Sequence, residues 1–250
     1  MRYLYYNPDA AEFHLFSPEH ITALCLITVL AVLVIVFRER LQALPEWTRR
    51  RLEIAAGVLL LLARSGMYLY YFTYGIGVKE VLPLYACRLV ILAILYTLFT
   101  GRRRWVFFFY YFGIIFGVLP LIVVDTSGYT FPHAMYFSFF IGHGMVLLTN
   151  IYFLAVYQYY PGRKDFRKAV QALVVYFGAA ALANFFLQGN YNYLEAAPPT
   201  LKLGGFDGSL GYKFMVFAVF LLVFVLEYLP FKRKEEAIEA EVEEKPAELK

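Results

Sequence analysis

Cysteine, histidine and charge are scarce in this chain, and each scarcity removes a class of protein. Two cysteines and four histidines in 250 residues leave no disulfide framework, and His14, His20, His133 and His143 lack the partners three or four residues away that a zinc site uses. No metal or other cofactor is implied. Charged residues make up 17% of the chain, against roughly a quarter in soluble domains, so a water-exposed globule is excluded. There is no phosphate-cradling glycine loop of the Walker type. The basic residues gather at the ends of apolar runs, a pattern that speaks against nucleic acid as a partner.

What the chain does have is apolar and aromatic bulk: 61% hydrophobic residues with 25 Phe and 22 Tyr. A membrane-spanning helix needs about 20 mostly apolar residues and must satisfy its own backbone inside the hydrocarbon. Seven runs meet that need, near 20–37, 53–74, 81–99, 105–124, 133–157, 169–188 and 210–229. Turn-forming stretches separate them, among them Pro45, Gly101, Pro161–Gly162 and the polar loop 189–209.

Positive charge orients the spans, because Lys and Arg in short loops stay on the cytoplasmic side. Arg38, Arg40, Arg49, Arg50 and Arg51 follow span one; Arg102, Arg103 and Arg104 follow span three; Arg163, Lys164, Arg167 and Lys168 follow span five; Lys232, Arg233 and Lys234 follow span seven. The opposite side carries Arg2, Lys79 and Lys202. The expected fold is therefore an all-α, polytopic protein of the cell membrane, with seven transmembrane helices, the N-terminus outside and the C-terminus cytoplasmic. Residues 1–19 form an external segment that lacks a basic leader region, so span one is expected to be retained. Residues 20–229 form the membrane domain. Residues 230–250 alternate basic and acidic side chains and read as a flexible end or a solvated helix.

An ionisable side chain within the bilayer is costly, so each one present is a functional candidate first. At about 1.5 Å per residue, Arg64, Cys87, His143 and Asn184 all fall in the outer half of the bundle, roughly 6–15 Å deep. His143 stands between Gly142 and Gly144, which permit close approach of a substrate or a neighbouring helix; a structural histidine bonded across helices fits the same pattern. Asn150 shares its face two turns on. Cys87 follows Pro83, which marks a helix start, and precedes Arg88, which is placed either to act on the thiol or a lipid phosphate, or to reach the headgroups. Cys25 has no polar neighbour in its run and reads as a packing residue.

A thiol and an imidazole at similar depth fit acyl transfer: the histidine takes the thiol proton, the thiolate attacks an ester, and a thioester passes its acyl group to a second nucleophile. The substrate would be a membrane phospholipid. Arg64 is placed to bind its phosphate or to pair within the protein. Asn190, Tyr191 and Tyr193 in Gly189-Asn190-Tyr191-Asn192-Tyr193-Leu194 are placed to recognise a headgroup, or simply to build an interfacial turn. The competing reading is a non-catalytic lipid-binding or transport protein in which Arg64, Arg88, His143 and Asn184 line a polar cavity. Neither reading sets an oligomeric state.

Pro83-Leu84-Tyr85-Ala86-Cys87, His143-Gly144 and Gly189-Asn190-Tyr191-Asn192-Tyr193-Leu194, in that order, resemble the YwaF family of bacterial integral membrane proteins, which is related to the animal transmembrane protein 164. The resemblance covers roughly residues 20–229. It implies a lipid acyltransferase that moves a fatty acyl chain from a phospholipid to a lysophospholipid, with Cys87 as nucleophile and His143 as base. More distantly the chain resembles membrane hydrolases of fatty-acid esters. Two positions depart from the family pattern: Asn192 stands where methionine is expected, and Arg88 follows the cysteine.

Overall fold

The computed structural model describes residues 13–124, 126, 129–197 and 205–244, with side chains to residue 232. Helix α1 spans Pro18–Val36 and begins under a serine cap, the Ser17 hydroxyl accepting from the His20 N–H, with proline at the first helical position. The short α2, Arg38–Ala43, leads to α3, Glu46–Thr73. After the single turn α4, Val78–Val81, the chain is extended at Leu82, as expected before Pro83. Helix α5 covers Ala86–Thr100 and ends at Gly101 in the left-handed conformation, with φ of 72°. Helix α6, Val106–Gly113, runs into a π-helical segment, Ile114–Val118, and then the short α7, Leu119–Ile122. Helices α8, Ala134–Ala155, α9, Arg163–Leu187, and α10, Leu210–Glu244, complete the chain.

Among the described residues, five helices are long and apolar enough to cross a membrane: α1, α3, α8, α9 and α10 up to Lys232. Ala86–Thr100 and Val106–Ile122 are apolar but shorter, and they occupy the places expected for spans three and four. At about 1.5 Å per residue the 15-residue α5 is about 22 Å long, less than the roughly 30 Å hydrocarbon layer. The run 81–99 predicts a longer helix, but Val81 closes the preceding turn, Leu82 is extended before Pro83, and Pro83–Leu84 form a turn, so α5 starts at Ala86. Conversely, α3 and α9 start six or seven residues before their apolar runs. Their charged first turns are good helix formers, which a reading based on hydropathy leaves out. The last helix runs through Pro230 and continues to Glu244, so much of the charged tail is helical.

Helix α8 is the centre of the bundle, packing on α1, α3, α5, α6 and the π segment. Its buried polar residues Ser138, His143, Thr149 and Asn150 point inward, whereas α1 turns Leu26, Val29 and Leu30 outward, as a lipid-facing helix does. The aromatic run of α6 is a core rather than an interfacial belt. Phe112 stacks on Phe108 with centroids 4.3 Å apart and meets Phe224 of α10 edge-on at 5.1 Å. Tyr111, Phe109, Phe112 and Phe224 are completely buried. Such pairs add about 0.5–1.5 kcal/mol each beyond their area.

The π segment sits where the chain crowds α8. A Cβ on Gly113 would overlap Asn150, and one on Gly117 would overlap Val146. Glycine at these two positions lets α6 and the π segment approach α8 directly. Pro120 has no N–H to give Phe116 four residues back, so the regular α ladder cannot run through this point. A single wide turn absorbs the mismatch, as π segments do within helices.

Candidate active site

Cys87 is the second residue of α5, in its first turn, where the unpaired N–H groups give the helix end a partial positive charge. It is half-buried. The loop ahead of it is braced by Arg88, whose Nη1 donates to the carbonyls of Glu80 and of Leu82, the latter at 2.9 Å. Its Nη2 donates to the Tyr71 hydroxyl at 3.2 Å, and the guanidinium lies 5.0 Å from the Tyr85 ring centroid. Arg88 therefore holds the segment that leads into the cysteine. Tyr176 of α9 approaches from the other side, donating to the Leu84 carbonyl at 3.1 Å and lying within electrostatic reach of Cys87.

His143 is buried on α8, with its ring 4.5 Å from that of Phe139. The imidazole lies against the backbone carbonyls of Phe116 and Gly117 in the π segment, and Nδ1 is buried with no hydrogen-bond partner. Proline at 120 and the wide turn thus present carbonyls to the histidine that a regular helix would spend on its own ladder.

Arg64 of α3 lies in the same part of the bundle. Its buried guanidinium donates from Nη1 to the Ser138 carbonyl and hydroxyl, both at 3.2 Å, and Nη1 lies 3.0 Å from where a Cβ on Gly142 would stand. Ile91, one turn after Cys87, contacts the same glycine position at 3.5 Å. Arg64 is within electrostatic range of Cys87, Arg88, Tyr68 and Tyr71, and of His143. Three helices, α3, α5 and α8, converge here.

The other polar candidates lie elsewhere. Asn150 is two turns further along α8, its amide nitrogen donating to the Phe109 and Val146 carbonyls at 3.0 Å each. Asn184 is committed to the loop after α9: its amide oxygen accepts from the Tyr191 N–H at 2.7 Å and its nitrogen donates to the Tyr191 carbonyl at 3.1 Å. Asn190 closes the same loop through the N–H groups of Glu195 and Ala196 and the Ala196 carbonyl. Tyr191 donates its hydroxyl to the Lys79 carbonyl at 2.7 Å and packs against Tyr85 with centroids 5.1 Å apart. The Tyr193 carbonyl accepts from the Tyr212 hydroxyl.

The loop carrying 189–194 is thus docked on the segment that introduces Cys87. Asn192 has φ of 60°, a left-handed conformation that asparagine tolerates better than methionine, so the departure at this position has a backbone reason. Ser138, Tyr176 and the π segment were not among the sequence candidates. Pro120 was the one signal for the last of these, and Ser138 and Tyr176 carry none that composition or spacing exposes.

The profile described as the TMEM164 family matches residues 15–231. No curated protein and no solved structure matches the chain.

Proposed function

Because the chain belongs to the TMEM164 family over residues 15–231, a range that contains every element of the three-helix cluster, we propose that it is an integral-membrane phospholipid acyltransferase or acyl-ester hydrolase, with Cys87 as nucleophile and His143 as base. The observation that supports this reading is the meeting of three helices at Gly142, beside His143, where Arg64 Nη1 and Ile91, one turn after Cys87, stand 3.0 and 3.5 Å from the position of a Cβ. Seven crossings, with α5 and the broken stretch Val106–Ile122 as the third and fourth, place the N-terminus outside and the basic ends of α3, α9 and α10 in the cytoplasm, in keeping with the charge pattern.

In the reaction the thiol proton passes to His143 as the sulfur attacks the ester carbonyl of a membrane phospholipid. The carbonyls of Phe116 and Gly117 can only accept hydrogen bonds, so they favour a neutral ring that turns its N–H toward them and keeps the other nitrogen as a base. The lysophospholipid oxygen leaves with the proton returned by His143, and a thioester remains on Cys87. A second hydroxyl, from a lysophospholipid or from water, gives its proton to His143 and attacks the thioester, releasing product and the thiol. The guanidinium of Arg64 and the partial positive charge at the amino end of α5 would supply the positive charge that offsets the developing oxyanion.

Turnover of a phospholipid labelled in its acyl chain tests the reading. Cys87→Ser and His143→Gln each lower the rate by about 100- to 10,000-fold, and wild-type protein quenched during turnover carries a hydroxylamine-sensitive acyl group on Cys87. Full activity in either variant overturns the dyad.

A further inference from the structure

The cluster around Arg64 and an apolar groove lie on opposite faces of α8. Gly142 faces Arg64 and Ile91, whereas Gly144 faces Ile27 of α1, whose side-chain carbons stand 3.0 Å from where its Cβ would be. At 3.6 residues per turn these two glycines point about 160° apart, with Val146 and Phe140 buried between them. On the Gly144 side a cavity of about 500 Å³ opens between α1 and α3, with α8 as its floor; Leu26, Leu30, Leu59, Ile141 and Leu148 line it. Glu19, in the first turn of α1, is among the lining residues and marks the end of the groove nearest the start of that helix.

We propose that this groove is a lipid site separate from the reaction chamber, holding one acyl chain of a phospholipid whose headgroup carries an amine, with that amine at Glu19. The groove is a concavity in three membrane helices, so its natural occupant is hydrocarbon. From Glu19 to Leu30 it runs about 16 Å at the helical rise. A staggered chain built from bonds near 1.5 Å advances about 1.25 Å per carbon, so about 13 carbons fill it. The rim selects the headgroup. The Glu19 carboxylate interacts with its own backbone N–H and with the Ser17 side chain, and among the described residues it forms no ion pair. A carboxylate at the mouth of an apolar slot attracts the ammonium group of phosphatidylethanolamine and repels the net negative charge of phosphatidylglycerol. Tyr136 fixes this rim by donating its hydroxyl to the Glu19 carbonyl at 2.7 Å. Since α8 separates the groove from Arg64, the lipid held here is not the one that meets Cys87.

The test uses the full-length protein in bilayer nanodiscs with two photoreactive probes, phosphatidylethanolamine and phosphatidylglycerol, each bearing a diazirine in one acyl chain. Labelled peptides are mapped by mass spectrometry. The expected result is labelling of residues 22–30 and 141–148 by the ethanolamine probe, about fivefold above the glycerol probe, the ratio that one ionic contact gives. Leu26→Trp, which fills the slot, removes the labelling. Glu19→Lys reverses the preference, and Cys87→Ala leaves it unchanged, so the result is independent of the proposed chemistry. Equal labelling by both probes that ignores Glu19→Lys marks ordinary boundary lipid and overturns the site, as does crosslinking of this face to a second copy of the chain.

Discussion

Arg64 of α3 and Ser138 of α8 form a buried two-point contact, one guanidinium nitrogen donating to both the carbonyl and the hydroxyl of the serine at 3.2 Å. The contact fixes where the cation stands relative to Gly142 and therefore relative to the residue beside it. A lysine keeps the charge but not the planar fork that reaches this position. Arg64→Lys is expected to lower the rate of acyl transfer about 10- to 100-fold, with Ser138→Ala smaller in the same direction. If Arg64 acts on the thiol of Cys87, the alkylation rate of that thiol by iodoacetamide falls in Arg64→Met. Alkylation and turnover equal to wild type in Arg64→Met would remove Arg64 from the site.

The close approach of the π segment to α8 depends on glycine. Gly117→Ala forces a methyl group into Val146, and overpacking of this kind costs about 1–3 kcal/mol. Thermal unfolding of the purified protein in detergent should show a lower midpoint, and Val146→Ala in the same chain should restore much of it. If the double variant is no more stable than Gly117→Ala, the contact does not set the spacing.

Asn184 holds the loop after α9 through two buried hydrogen bonds to one residue. Asn184→Ala leaves the buried Tyr191 N–H without its acceptor, at about 1–3 kcal/mol, while the Tyr191 carbonyl keeps the Leu194 N–H at 3.4 Å. The loop docks on the segment leading to Cys87, so the variant should raise the rate at which a water-soluble maleimide labels that cysteine, as well as lowering the unfolding midpoint. Labelling at the wild-type rate would detach the loop from the thiol's environment.

At the far end of α3, buried Glu53 pairs with Arg50 and accepts from the hydroxyls of Tyr152 and Tyr157, while Arg50 also donates to the Leu98 carbonyl at 2.9 Å. This network ties α3, α5 and α8 together. Breaking a buried pair by removing one partner costs about 3–5 kcal/mol. Glu53→Ala is therefore expected to unfold at a distinctly lower temperature than Glu53→Gln, in which the amide still accepts from the two phenols. Equal midpoints would show that packing, and not the carboxylate, holds this end.

The apolar runs were legible in the sequence because hydrocarbon imposes a length and a polarity that composition cannot disguise. Helix ends were less so: charged first turns extend α3 and α9, and Pro83 postpones α5, which are backbone effects that hydropathy does not register. Cys87, His143 and Arg64 were readable as isolated costs of burial. Their shared neighbourhood was not, since it depends on which face of α8 meets α3 and α5. Asn190 and Tyr191 read as headgroup ligands because loop amides and phenols suit that task, and Asn184 as the lining of a polar cavity. The structure gives the two amides to the loop's own backbone and the Tyr191 hydroxyl to the Lys79 carbonyl, pairings that are invisible until the chain turns.

The wide turn at Ile114–Val118 also sets the phase of everything after it. Leu121, whose carbonyl receives the Nε2 hydrogen of His20 at 2.9 Å while His20 Nδ1 accepts from the Phe16 N–H, is on the correct side of its helix because of that turn. Deleting one amino acid from the segment would rewind the remainder by about 100°, swing this latch away from the first helix, and release the amino-terminal end of the bundle from its centre.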